Sequence, residues 1–211
     1  MGPAPAQANL TAKPWRASCQ YERPYVDSLQ FWEDMGATCY HPGDYTGQEF
    51  LNELQTFTGQ WVYMGHAFED RLRGYGHLLT ADLLAHKPAR PLNGTLFLTC
   101  NTLGEAEQGL PLALEWHLAG ASRFTLAATG PVNTAENQQL AIRMLHALES
   151  NHDQPLWEFI RQCFAKPTIG GKNSGRTGEL YNIAAHYRLL GDPWAIVPPV
   201  LNRLSVYSHG Q

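Results

Sequence analysis

The sequence predicts a three-layer α/β domain with a mainly parallel central sheet and helices on both faces. Two observations carry that reading. Short, almost wholly apolar runs, QWVYM (60–64), GTLFLTC (94–100) and SRFTLAA (122–128), have the length and β-branched or aromatic character of strands buried on both faces. Amphipathic segments of helical period alternate with these runs, the order expected of βαβ units joined by right-handed crossovers.

The elements follow from local chemistry. Pro3, Pro5, Pro14 and Pro24 interrupt the start, so residues 1–24, which have no apolar secretory core, read as a flexible leader or as a cut made inside a longer protein. A short helix is expected over 25–32 and a strand at ATCY (37–40). Thr46 and Glu49 form a T-x-x-E capping box ahead of FLNELQTF, a helix that ends by Thr58-Gly59. QWVYM stops at Gly65-His66, and a polar stretch follows. TADLLAH (80–86) reads as a short helix broken by Pro88 and Pro91. After GTLFLTC comes the loop NTLGEAEQG, then the helix LPLALEWHLA closed by Gly120. AENQQLAIRMLHALES (135–150) places Leu140, Met144, Leu145 and Leu148 on one stripe. PLWEFIRQCF (155–164) begins with a proline suited to a first turn. A turn-rich segment, AKPTIGGKNSGRTGE, precedes a helix at ELYNIAAHY (179–187) and a final strand and turn in YRLLGDP. No repeat is visible. The domain is expected over 25–200, with 201–211 as a tail.

Composition excludes several functions. A net charge of -4 lacks the basic face of a nucleic-acid binder, and no run reaches the length of a membrane span. Cys19, Cys39, Cys100 and Cys163 form no C-x-x-C pair, and no H-x-x-x-H pair occurs among the histidines. No metal or cofactor is therefore expected. Without an export signal, free thiols in a reducing cytoplasm are the default. TIGGKNSGRTG lacks phosphate-loop spacing, because Asn173 follows Lys172, and reads as a surface loop.

In parallel sheets, chemistry gathers at the carboxyl ends of strands. His66 directly follows one such strand and Cys100 closes the next. If the strands are neighbours, imidazole and thiol emerge side by side, a pairing that favours the thiolate. The same histidine can then protonate a leaving amine. His77 is a weaker rival, since it follows Gly76 and not a strand. Cys163 lies among Phe159, Ile160 and Phe164 and reads as core.

WVYMGHA followed by GTLFLTCNT resembles the His and Cys blocks of caspase-like cysteine peptidases, closest to CHAT-domain peptidases and more distantly gingipains and separases. In those families a strand ends in Gly-His-Gly and a later one in Ser-Ala-Cys or similar. EQGLPLALEWHLAGASRFTLAATGPVNTAENQQLAIRML and HYRLLGDPWAIV (186–197) resemble later blocks in the same order, so the likeness covers roughly residues 37–197. The resemblance implies a caspase-like fold, a polypeptide substrate, further domains or a regulatory partner, Cys100 as nucleophile and His66 as base. Backbone N–H groups of Ala67 and Cys100 would hold the oxyanion. Ala67 departs from the family glycine. If that position needs a positive φ, alanine costs about 1–2 kcal/mol there.

Glu105 and Glu107 follow the nucleophile and suit either an acidic pocket for a basic residue before the cut bond or a solvated loop. Asp192 in Gly191-Asp192-Pro193 reads as a turn-former. The expected activity is cysteine endopeptidase. The alternatives are a catalytically silent caspase-like binding module and an unrelated small-molecule α/β enzyme. The latter lacks any G-x-G-x-x-G or G-x-S-x-G motif at a strand–helix junction.

Overall fold

The computed structural model describes residues 14–149, 152–165 and 184–199. In chain order the elements are β1 (Trp15–Cys19), α1 (Arg23–Asp34), β2 (Thr38–Tyr40), α2 (Gly47–Thr56), β3 (Gln60–Met64), β4 (Ala67–Phe68), β5 (Arg71–Leu72) and β6 (Leu78–Leu79). There follow α3 (Thr80–Ala85), β7 (Gly94–Leu98), α4 (Leu112–Leu118), β8 (Phe124–Ala128), α5 (Thr134–Leu148), β9 (Gln154–Pro155), α6 (Leu156–Phe164), β10 (Tyr187–Gly191) and β11 (Ile196–Val197).

The main sheet has the order β10-β8-β7-β3-β1-β2, parallel throughout except for β10, which runs antiparallel to β8. Strands β3, β7 and β8 are buried along their whole length, which explains why they read as continuous apolar runs. Alternation splits their side chains between two cores. Val62, Met64, Leu96 and Leu98 join Leu140, Met144, Leu148 and Phe159 under α1, α5 and α6. Trp61, Tyr63 and Phe97 join Phe50, Leu83 and Trp116 under α2, α3 and α4. The helices thus cover both faces, and the predicted three-layer architecture is the one observed.

The beginning of the chain needs correction. Residues 14–24 are not leader, because Trp15–Cys19 is an inner strand, paired in parallel with β2 and β3. WRASC escapes a hydrophobicity reading because it mixes a charge with small residues. Its burial comes from its neighbours, and Ser18 is satisfied there by accepting a hydrogen bond from Trp61 Nε1 at 2.8 Å. Residues 1–13 and the tail over 201–211 lie outside the described residues, as do most of the predicted helix 179–187 and TIGGKNSGRTG.

Other differences are smaller. Helix α1 is longer than expected because Pro24 sits in its first turn and does not break it. Pro155 is the cap of α6 and not its first helical residue. The strand GTLFLTC ends at Leu98, so Thr99 and Cys100 lie in the turn beyond it. The capping box at Thr46 and Glu49 forms, and a second one, Asn133 with Glu136, starts α5. Gly120 closes α4 with φ +70°. Among the described residues no helix is long and apolar enough to cross a membrane.

Candidate active site

The register of the sheet sets the positions of His66 and Cys100. Met64 pairs with Leu98 on adjacent parallel strands, and Gly65 N–H donates to Leu98 O at 3.3 Å. Counting two residues onward along each chain brings His66 and Cys100 to the same level of the carboxyl edge. Glycine at 65 is sterically required. A Cβ there would approach the Tyr63 hydroxyl to 2.8 Å and Gln20 Cβ to 2.9 Å.

His66 is held by a closed set of contacts from the end of β1. Its backbone N–H donates to Gln20 Oε1 at 2.9 Å, and Gln20 Nε2 donates to Glu22 Oε1 at 2.5 Å. Glu22 Oε2 in turn lies 3.4 Å from His66 Nε2. The carboxylate thus engages the ring from its Nε2 side. The Tyr25 ring meets the imidazole edge-on, with centroids 5.5 Å apart. On the other side, Arg73 N–H donates to His66 O at 3.0 Å.

Cys100 is placed by a turn tied to its neighbours. Thr99 and Thr102 share a buried hydroxyl–hydroxyl bond of 3.1 Å. Asn101, at φ +53°, donates its N–H to Gly130 O, and Leu103 N–H donates to Ala128 O. The Cys100 thiol donates to Val132 O at 3.1 Å, and Val132 N–H donates to Sγ at 3.3 Å. Among the described residues no hydrogen bond joins Cys100 to His66.

Both side chains nonetheless lie on the face covered by α1 and α5. Tyr25 of α1 touches His66, and Val132, just ahead of α5, touches Cys100. The Tyr25 hydroxyl reaches Thr134 at 3.2 Å, so the amino ends of α1 and α5 meet over this edge. The positive ends of the two helix dipoles make the locality favourable to developing negative charge. Burial pushes the Tyr25 phenol up, and the neighbouring Cys100 and Glu22 add to the effect when ionised.

The remaining candidates fall elsewhere. Ala67 is extended in β4 and outside the left-handed region, so the conformational cost considered for alanine does not arise. Glu105 and Glu107 are exposed on the loop after Cys100, with no ion pair among the described residues, and neither lines the cleft described below. His77 is exposed at φ +66°, on the rim of that cleft. Asp192 accepts a hydrogen bond from Trp194 N–H at 2.8 Å, as a turn-former does. Among the described residues no group of three or more His, Cys, Asp or Glu side chains could hold a metal ion.

Sequence reasoning missed Gln20, Glu22 and Tyr25. The only available signal was a polar-aromatic cluster close behind WRASC, and that signal has meaning only once WRASC is known to be a strand.

No family model and no curated protein matches the chain. Solved structures do. The Arg-specific cysteine proteinase gingipain R superposes with a TM-score of 0.66 at 12% identity, covering 89% of this chain and 48% of that one. The complex of Porphyromonas gingivalis RgpB pro- and mature domains gives 0.62 at 12% identity, covering 89% and 49%. The Saccharomyces cerevisiae separase–securin complex gives 0.53 at 13% identity, covering 85% and 12%. The chain thus spans about half the length of the gingipain chains. Its fold is the caspase-like α/β fold of these cysteine proteinases.

Proposed function

We propose that the chain is a cysteine endopeptidase domain, with Cys100 as nucleophile and His66 as base and acid. One observation carries the reading. A cysteine and a histidine stand at the same level of adjacent parallel strand ends, on one face, in a fold shared with cysteine proteinases. The resemblance of the His and Cys blocks to CHAT-domain peptidases points the same way.

In the proposed reaction the Cys100 sulfur attacks the scissile carbonyl carbon, and the carbonyl oxygen gains the negative charge. Backbone N–H groups of Ala67 and Cys100 are the proposed donors to that oxyanion. His66 holds the proton taken from the thiol and delivers it to the departing amine as the carbon–nitrogen bond breaks. Water then hydrolyses the thioester and returns the thiol. Glu22 fixes the imidazole from the Nε2 side. Glu105 and Glu107, exposed and without an ion pair among the described residues, are the proposed partners of a basic residue before the cut bond. A polypeptide is the substrate, with further domains or a regulatory partner completing the protein. The free thiols suit a reducing compartment such as the cytoplasm.

A second reading, a binding module without turnover, is favoured by one contact. The thiol is engaged by both backbone groups of Val132 and not by His66. Cleavage of peptides carrying Arg or Lys separates the two. Cys100→Ala should abolish cleavage with the fold intact by circular dichroism. His66→Ala should be nearly as severe, and the double variant hardly worse than either. Full activity in Cys100→Ala would overturn the assignment.

A further inference from the structure

An open cleft of about 700 Å³ lies beside His66, on the side away from Cys100. It is built from the end of β1 (Gln20, Tyr21), the loop after β2 (Tyr45), the start of α2 and the β5–β6 connection (Arg73, Tyr75, His77). The sheet order β7-β3-β1-β2 puts Cys100, His66, Gln20 and the β2 loop in one line along the carboxyl edge. The cleft touches the candidate site directly. Gln20, which lines it, accepts the His66 N–H, and Arg73 donates its own N–H to His66 O.

The walls are fixed. Tyr75 stacks on Phe50 with centroids 4.6 Å apart and donates its hydroxyl to Tyr40 O at 2.6 Å. Gly47 permits the close approach of the Tyr75 carbonyl, which any side chain at that position would strike. Tyr75, Gly76 and His77 follow one another at φ +50°, +82° and +66°. Three successive left-handed residues, two of them with side chains, are a costly conformation that packing maintains at this rim.

Arg73 is the cleft's one permanently charged lining residue, and no Asp or Glu lines it. Two carboxylates stand behind the lining without forming part of it, Glu22 held by Gln20 Nε2 and Glu49 held by the Thr46 N–H and hydroxyl. Among the described residues the guanidinium has no carboxylate partner. Its Cζ lies 5.7 Å from the centroid of the Phe68 ring. Asp44, on the loop beside the cleft, is exposed and not part of the lining.

We propose that this cleft binds a carboxylate side chain of the polypeptide substrate on the carboxyl side of the cut bond. The inference rests on the peptidase reading for its direction. His66 must face the leaving amine to protonate it, so the substrate's continuing chain runs past His66 and away from Cys100. One or two strand spacings beyond β3 is about 5–10 Å. An extended chain covers that with two to three residues, so the second to fourth residue after the cut bond meets Arg73.

Quenched-fluorescence peptides test this. They carry Arg before the cut bond, Glu or Gln at the second, third or fourth position after it, and an amidated end that excludes a terminal carboxylate as the ligand. Glu should raise kcat/KM about fivefold over Gln at one of these positions, as suits a partly exposed ion pair. The gain should vanish in Arg73→Gln and pass to Lys-bearing peptides in Arg73→Glu. No difference between Glu and Gln, or one that survives Arg73→Gln, overturns the proposal. If no peptide is cut, the peptidase reading fails, and fluorescence anisotropy on Cys100→Ala decides the cleft separately. Tighter binding of the Glu peptide that is lost on Arg73→Gln supports the site, and equal binding of both peptides overturns it.

Discussion

The four thiols differ in environment more than the sequence shows. Cys19 and Cys163 are buried, and burial disfavours the thiolate, pushing Cys19 up to about 12 and Cys163 higher still. Cys39 and Cys100 are only partly buried. At pH 8 a thiol of pKa about 12 is ionised in about one molecule in ten thousand. Iodoacetamide should therefore modify Cys100 and Cys39 in the folded protein and leave Cys19 and Cys163 unmodified until denaturant is added, as peptide mass mapping would show. Prompt modification of Cys163 would contradict the packing of α6. The ring of contacts through Gln20 and Glu22 makes a second prediction at this scale. Glu22→Gln removes the carboxylate beside His66 Nε2 and should lower kcat about tenfold or more, because the imidazole loses its orientation and its counter-charge. The melting temperature should move by no more than about 3 °C, since an exposed pair contributes at most about 1 kcal/mol. A large thermal shift with unchanged kcat would make Glu22 a structural residue only.

At the scale of elements, close approach and capping govern. Gly94 opens β7 where any side chain would overlap the buried Phe124 ring and Gln60 Oε1. Gly94→Ala should therefore destabilise the protein by about 2–3 kcal/mol, read as the denaturant midpoint. Thr46→Ala removes half of the capping box that starts α2 and should cost about 1 kcal/mol by the same measurement. These two sites differ in how far the sequence discloses them. The capping box is legible because its residues are local and their spacing is fixed by helix geometry. The reason for glycine at 94 lies across the sheet at Phe124 and is not legible locally. The β4–β6 meander was equally hidden, because strands of two residues carry no period. Yet that meander supplies Arg73, Tyr75 and His77 to the cleft beside His66.

At the scale of the molecule, Trp15 connects the first and last described elements of the fold. It is fully buried, packs on Trp32 of α1 at 5.2 Å and Phe159 of α6 at 6.4 Å, and donates Nε1–H to Pro198 O at 3.0 Å. Trp15→Ala should cost about 3–5 kcal/mol and lower the melting temperature by about 10 °C, measured by calorimetry. A neutral result would return residues 14–24 to the status of a leader. The sequence alone determined the α/β class, the helices on both faces and the presence of strands within 60–64, 94–100 and 122–128, because burial on both faces demands unbroken apolar runs. It also singled out His66 and Cys100, because one follows such a run and the other closes the next. Only the tertiary structure decided that WRASC is an inner strand, that Glu22 and Tyr25 reach His66, and that Val132 engages Cys100. Those contacts join residues far apart in the chain, and hydrophobic period and local propensity carry no information about which distant segments a sheet brings together.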